Sequence, residues 1–368
     1  MSLPGSHLDL LGSKLIQRIS APVAATGDSV WIVGGAVRDA FLGSSVTDID
    51  LAVDGDPAPV AKEVAEVLGG VAFELSGEFA TWRAAGRAGE WQIDVAGLRG
   101  DAIEQDLGLR DFTVGSMAVP LSGVDRDLID PLDGVGDLER GVLRASGPTS
   151  LLDDPLRSMR AARLAAQFGW DVEPTTIELA RAAAPGLAGV AGERVLAEFL
   201  LLVGSRDPLR GIETMDRVGA MDEVLPEIGE MKEVTQGPNH HLDVHGHTIE
   251  VLEGVLRIES DLEAFVGDLA PATSDLLSEP LADGVDRATG LRLGALFHDC
   301  AKPDTRTEKD GFVGFRGHDE VGAEKVTAVF SRLRSSRALS RHVADLTRHH
   351  LILGFMVHSM PLDRRAVF

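Results

Sequence analysis

Apolar and polar positions follow two different periods along this chain, and the switches between them mark its elements. Val30 to Val33 form a short apolar run of the kind a buried strand carries. Gly34 and Gly35 follow as a tight turn, and Ala36 to Leu42 read as one short helix closed by Gly43, a C-cap residue free of any Cβ penalty. Asp48 to Val53 then alternates as a second strand. Side chains on a strand point to opposite faces in turn, so Asp48 and Asp50 share one face while Ile49 and Leu51 turn into apolar packing. Pro57 to Leu68 reads as an amphipathic helix ended by Gly69-Gly70, and Val71 to Leu75, Thr81 to Ala85 and Trp91 to Ala96 as further strands. A helix around Leu8 to Ile19 precedes them.

Downstream the period becomes helical. Residues 125 to 150 carry turn signals at Asp130-Pro131, Asp133-Gly134 and Gly147-Pro148 and read as the last loop and strand of the sheet region. The segment DPLRSMRAARLAAQFGW opens a helix, with Asp154 as N-cap and Pro155 as its first residue. Thr175 to Val203 is helical, broken at Pro185-Gly186 and at Gly189 to Gly192, and Pro208 to Val224 is one more helix closed by Pro226. Asp268 to Arg287, rich in Pro, Asp and Ser, reads as a linker or loop. The fold class expected is α+β, a mixed sheet with flanking helices followed by all-α regions, and 368 residues allow two or three domains.

Two carboxylates on one strand edge make a divalent-cation site. In-line nucleotidyl transfer needs such a pair, because charge on both the attacking and the leaving oxygen must be neutralised. The glycine turn supplies the other half: backbone N–H groups at Gly34, Gly35 and the helix start can approach a triphosphate, and Arg38 adds a cationic fork. A lone DxD is frequent and weak. Strand, GG, VRD, LG and DxD in this order between Val30 and Val53 is much more specific. Asp94 shares a strand face with Gln92 and Ala96; a third carboxylate of this site and a polar residue on a solvated face are equally good readings of it.

The residues GGAVRDAFLG and DIDL resemble the signature of the class II tRNA nucleotidyltransferases, which belong with bacterial poly(A) polymerases in the polymerase-beta superfamily. The resemblance implies a nucleotidyltransferase palm over 1–148, a helical neck with a base-reading segment over 149–230 and an HD-like helical domain over 231–368. It implies Mg²⁺ at Asp48 and Asp50, the catalytic pair, and triphosphate contacts from Gly35, Arg38 and Arg110. IEQDLGLRDFTVGSMAV resembles the family's second motif, in which an Arg and Asp grip the triphosphate and ribose; here these are Arg110 and Asp111. The chain departs from that motif at Leu109, where the family has Arg, and at Gly115-Ser116, where it has Asn-Ala.

In the family the segment at Asp154 reads the base, an Asp and an Arg presenting an acceptor and donors to C or A. The resemblance gives this role to Asp154 and Arg157, and a phosphate or ribose role to Arg160. Arg163 has the weakest such claim and reads as well as a salt-bridged structural residue, since arginines at every third position wind round a helix by about −60° per step. GERVLAEFLLLV resembles the family's neck helix. Many CCA-adding members carry a flexible loop between the positions of Arg99 and Glu104. Here only a few residues intervene, a feature the family associates with enzymes that add only the terminal A.

The strings NHHLDVHGHTIEVLEGV, LFHDCAKPDTRT and GFRGHDEVGAE resemble an HD domain. The resemblance implies a second divalent metal held by His247, His298 and Asp299, with Asp345 a candidate for the last ligand; imidazole and carboxylate together suit transition metals. His240, His241, His318, His349 and His350 read as caps, surface residues or phosphate contacts. The chain ends at PLDRRAVF with no stop signal, where a helix reads as starting, so a truncated end is expected.

Charge complicates this picture. A formal net charge of −23 and a pI of about 4.8 disfavour a nucleic-acid binder. Arginine is concentrated, however, at Arg157, Arg160 and Arg163 and again at Arg332, Arg334, Arg337, Arg341 and Arg348, so a local basic groove on an acidic body is expected. Tyrosine is absent and aromatics are 5%, which leaves base stacking to Phe, Trp or Arg. The single Cys300 forbids an internal disulfide and, with no long apolar run or signal pattern, points to a soluble cytoplasmic protein. The function expected is addition of CCA, or only the terminal A, to a tRNA 3′ end from CTP or ATP. A poly(A) polymerase, an HD-type phosphohydrolase and a non-catalytic RNA-binding module remain as alternatives.

Overall fold

A computed structural model describes residues 3–46, 48–76, 81–87, 89–123, 126–237 and 241–352. The chain divides into two compact units, one running through Asp154 and including Trp170–Leu179, the other made of Pro155–Gly169 and the chain from Ala180. Among the described residues no helix is long and apolar enough to cross a membrane.

In the first unit α1 (His7–Leu11) and α2 (Lys14–Ala24) replace the single helix expected there, parted at Gly12-Ser13, where Ser13 caps α2. There follow β1 (Ser29–Val33), α3 (Gly35–Phe41), β2 (Asp48–Asp54), α4 (Pro57–Leu68), β3 (Val71–Ser76), β4 (Thr81–Ala85), β5 (Gln92–Gly97), α5 (Ile103–Gly108) and β6 (Ala118–Pro120). The strands form one six-stranded sheet in the order β3-β4-β5-β2-β1-β6, with only the β2–β5 pair parallel. Two rows explain how this sheet works. Ala72, Ala84, Ile93 and Ile49 pair across four strands, and the last three are buried on the face that packs against α4. Their neighbours in sequence face the other way. On that second face α5 covers one end, Ile103 and Leu107 packing with Val33, Ala52 and Ala118 in a buried cluster. That packing carries Asp106 and Arg110 toward Asp50. The unit closes with α6 (Gly134–Arg140), a helix where loop was expected, β7 (Val142–Leu143), and α7 (Ser150–Asp153). Buried Asp137 anchors this region by bonding Thr113, Arg140 and Arg144.

The second unit opens with α8 (Leu156–Phe168). Its N-cap is Pro155, and Asp154 instead ends α7. The chain then returns to the first unit with β8 (Asp171–Val172), parallel to β7. After α9 (Pro174–Ala183) come α10 (Gly192–Val203), α11 (Pro208–Arg217), α12 (Ala220–Val224) and α13 (Pro226–Gly229). The single helix expected over 208–224 is split because Gly219 adopts φ 72°, a left-handed conformation. The remaining elements are α14 (Val244–Ser260), α15 (Leu262–Val266), α16 (Ala270–Leu277), β9 (Pro280–Ala282), β10 (Val285–Asp286), α17 (Arg287–Phe297), α18 (Lys302–Thr305), β11 (Thr307–Lys309), β12 (Phe312–Gly314), α19 (His318–Arg332) and α20 (Arg337–His349). The stretch 268–287 is therefore not a linker. Pro271 sits in the first turn of α16, and the Asp286 side chain caps α17, so the residues that read as loop are helix punctuation. The segment PLDRRAVF lies outside the described residues.

Candidate functional site

Asp48 and Asp50 are exposed on β2 while Ile49 and Leu51 are buried, as the alternation predicts. Gly34 has φ 75° and is the N-cap of α3. A Cβ at Gly34 would stand 3.1 Å from Arg110 Nη1 and 3.3 Å from Asp50 Oδ2, so a carboxylate and a guanidinium meet over a residue that must lack a side chain. Gly35 has a similar relation to Arg38, whose Nη2 would lie 3.4 Å from a Cβ there. One expectation is corrected: the Gly34 amide donates to the Met117 carbonyl at 3.3 Å, so Gly34 contributes open space and not a free N–H. Arg38 also bonds Asp39 at 2.8 Å.

Arg110 is held from behind. Its Nε and Nη2 donate to Asp106 Oδ2 at 3.0 and 2.9 Å, and Arg99 Nε donates to the other oxygen at 2.9 Å. Burial alone would raise the Asp106 carboxyl, but Arg110 and Arg99 outweigh it and hold it below the usual carboxylate range. Asp111 Oδ1 accepts from the Phe112 amide at 2.8 Å and lies 3.2 Å from where a Cβ at Gly115 would stand. The glycine that departs from the family motif thus leaves room for this folded-back carboxylate.

Asp94 is the residue that strand alternation alone left undecided. In the parallel β2–β5 register it stands directly beside Asp50, and Arg83 on β4 grips both its oxygens at 2.7 and 2.9 Å. Asp94, and then Asp48 and Asp50, raise the Arg83 guanidinium above its ordinary value, although burial opposes this. Three carboxylates therefore share one patch of sheet. The signal available beforehand was the equal alternation of DID and of Gln92, Asp94 and Ala96.

In the second unit Arg160 and Arg163 both turn to buried Glu198 on α10, Nε to carboxylate at 3.1 and 2.6 Å, and Arg163 also bonds Gln167. The salt-bridged reading of Arg163 thus describes both residues. Four of the five arginines of the second run have acidic partners: Arg332 with Glu227, Arg334 with Glu193, Arg341 with Asp345 and Arg348 with Glu320. Arg334 and Arg341 keep 70% and 84% of their side chains exposed beside these acids.

The histidine cluster is larger than its sequence suggested. Asp299, 1% exposed, lies at the centre. Its Oδ2 is 2.9 Å from His298 Nε2, 3.6 Å from His247 Nε2 and 2.7 Å from Lys302 Nζ. Its Oδ1 is 3.2 Å from His318 Nε2 and 3.6 Å from His350 Nε2, yet is buried without a well-oriented hydrogen bond. His318 and His350, read as caps or surface residues, belong to this site. Asp345 does not; it pairs with Arg341 and Arg348. His241 is exposed, the His349 ring meets the Asp345 carbonyl, and His240 lies outside the described residues.

The tautomers say what this cluster is built for. Nδ1 of His298, His318 and His350 meets the carbonyls of Ala295, Phe315 and Thr347 at 2.8, 2.7 and 2.6 Å. A carbonyl only accepts, so each Nδ1 carries a proton and each ring turns its Nε2 toward Asp299, where it can donate a proton to the carboxylate or, once deprotonated, a lone pair to a metal. Nε2 of His318 and Nε2 of His350 also stand 3.2 Å apart, and a metal cation would take the place of the protons among these nitrogens and Asp299. Two groups of three donors fit one: His247, His298 and Asp299, and Asp299, His318 and His350. Burial would raise the Asp299 carboxyl, but His298, His318 and Lys302 hold it far below the usual range. Calorimetric titration with Mn²⁺ or Ni²⁺ is expected to show binding that His318→Ala and His350→Ala each weaken by at least about tenfold, the lower end of what is lost on removing even a residue that orients a ligand. His349→Ala is expected to leave it unchanged.

The chain matches three family models: the poly A polymerase head domain over residues 30–144, the probable RNA and SrmB-binding site of polymerase A over 169–231, and the HD domain over 244–366. It is 39% identical over 328 residues to the A-adding tRNA nucleotidyltransferase of Deinococcus radiodurans, covering 87% of this chain and 68% of that one. It is 33% identical over 350 residues to the CC-adding tRNA nucleotidyltransferase of Thermus thermophilus, covering 91% and 70%. Its fold is similar to the apo form of a solved tRNA-processing enzyme, with a TM-score of 0.69 at 20% identity, covering 95% of this chain and 81% of the other.

Proposed function

Since this chain belongs to the tRNA nucleotidyltransferase family, we propose that it transfers AMP from ATP to the 3′-hydroxyl of a tRNA-like RNA, in the cytoplasm. The family implies a divalent metal, and we assign Mg²⁺ to Asp48 and Asp50, where it would neutralise charge on the triphosphate. The observation that carries the proposal is the meeting of Asp50 and Arg110 over Gly34, a carboxylate and a cation on either side of a gap that only glycine leaves. Arg110, fixed by Asp106, and Arg38 over Gly35 bind the triphosphate, and Asp111 positions the ribose. Asp154 and Arg157 select the base, and Arg160 and Arg163 support that helix through Glu198. The acceptor 3′-hydroxyl gives up its proton to solvent as its oxygen bonds the α-phosphorus, while the bond from that phosphorus to the bridging oxygen breaks and pyrophosphate leaves.

The domain limits we propose are a palm over 1–148, a neck over 149–230 and an HD-like domain over 231–368 whose metal is separate from that of the palm. The short connection from Gly97 to Ile103 supports addition of A alone over CC or CCA. The test is incorporation into tRNA trimmed at its 3′ end, with ATP alone, CTP alone and both, followed by sizing. We expect one A on RNA ending in CC and no addition from CTP. Addition of C would shift the assignment to a CC- or CCA-adding enzyme, and a ladder of A to a poly(A) polymerase.

A further inference from the structure

The carboxylate face of the sheet continues past Asp94. Cross-strand pairing runs from Asp50 on β2 to Asp94 on β5, Arg83 on β4 and Phe73 on β3. Directly paired residues share a face, so these four side chains form one row, and three strand spacings put Phe73 roughly 14 Å from Asp50. β3 is an edge strand, and edges usually present charge to water. Here the outward positions are apolar: Phe73 is 44% exposed and Val71, two residues earlier on the same face, 57%. Leu75, 46% exposed, follows at a bulge. Between this stripe and the carboxylates stands Arg83, which uses Nε and Nη2 on Asp94 and makes no hydrogen bond through Nη1 among the described residues.

We propose that this row is a track for the single-stranded 3′ end of the acceptor RNA, with a base stacked on Phe73 and a phosphate facing Arg83. The proposal rests on nucleotidyl transfer occurring at Asp48 and Asp50. It commits to RNA because the stripe is continuous, through one strand register, with the carboxylates at which the 3′-hydroxyl reacts. The guanidinium along the way still has N–H groups to give a phosphate. About 14 Å is a span of roughly four stacked nucleotides at 3.4 Å each, and fewer if the strand is extended. Stacking on an aromatic ring accepts any base, which suits a track and not a reader.

The test measures binding without turnover. Labelled RNA stems ending in a 3′-deoxynucleotide, with single-stranded tails of one to six nucleotides, are titrated by fluorescence anisotropy against wild type, Phe73→Ala and Phe73→Trp. Phe73→Ala is expected to weaken binding of tails of four or more nucleotides roughly 5- to 150-fold, the range stacking supplies, and to leave one-nucleotide tails unchanged. Phe73→Trp is expected to restore it. Equal affinity of wild type and Phe73→Ala for long tails, or equal loss for all tails, overturns the track. So does a wild-type dimer in sedimentation that Phe73→Ala dissociates, which would give the stripe to a second copy of the chain. Nucleotide incorporation by wild type is a separate arm: its absence sinks the reading of the carboxylate site, whereas incorporation with tail-independent binding sinks only the track.

Discussion

Replacing Asp50 by asparagine is expected to lower incorporation of labelled AMP at saturating ATP by at least about a thousandfold. The carboxylate that faces Arg110 across Gly34 is one of two adjacent acids on β2 available to hold a divalent cation. Removing its charge forfeits several kcal/mol of stabilisation of the developing phosphate charge, and each 1.36 kcal/mol is a factor of ten in rate. Thermal unfolding should hardly move, because Asp50 is exposed and its buried neighbours Ile49 and Leu51 are untouched. Activity lost together with a large fall in Tm would instead mean that Asp50 is a structural residue.

Asp106→Ala is expected to do the reverse, with stability falling first and activity following. Asp106 is buried and receives Nε and Nη2 of Arg110 as well as Nε and the backbone amide of Arg99. Removing one partner of a buried ion pair costs about 3–5 kcal/mol, and the partial exposure of Arg99 places this case near about 3. For a unit of this size that is a fall in Tm of roughly 6–12 °C. Arg110 then loses the carboxylate that holds its Nη1 over Gly34, so KM for ATP should rise.

The same residue sets a pH dependence. Its folded carboxyl is held below the unfolded value of about 3.9, since the two guanidinium groups outweigh burial. Its contribution is therefore fully present above that value and is lost as pH falls through the lower, folded one. The stability gap between wild type and Asp106→Asn should be constant from pH 5 to 8 and shrink below about pH 4. A gap that widens in acid would contradict the assignment.

How much of the site is legible in the sequence follows from how local each feature is. The carboxylate pair was legible because a strand's two-residue period alone decides which side chains share a face, and Asp48 to Val53 states that period without ambiguity. The role of Asp94 depends on β5 lying parallel beside β2 in a register that sets Asp94 against Asp50, a pairing made across the intervening residues 55–91. No local pattern contains it. The metal cluster shows the same limit more sharply. His298 and Asp299 are adjacent and were found. His318 begins α19 and His350 follows α20, and a histidine at a helix end looks like a cap until three such ends converge on one carboxylate.

Composition misled in both directions. Five arginines from Arg332 to Arg348 suggested a basic surface, but acidic partners on the same or neighbouring helices bind four of them. That leaves the net charge of −23 without a broad basic counterweight there. On the proposed function, RNA affinity would draw on a few placed guanidinium groups and on stacking, which is why an exposed phenyl ring in line with the carboxylates carries weight. In 268–287, Pro and Asp mark the starts of α16 and α17, so residues that usually signal loops here punctuate helices.

The central claim is that Asp48 and Asp50 bind a divalent cation next to a triphosphate lying over Gly34 and Gly35. A crystal grown with Mn²⁺ and a nonhydrolysable ATP analogue tests it most directly, through the anomalous signal of the metal. The account predicts a peak bridging the Asp48 and Asp50 carboxylates, with the γ-phosphate within hydrogen-bond reach of Arg110. Manganese found only among His247, His298, Asp299, His318 and His350, with the analogue away from the glycine turn, would contradict it.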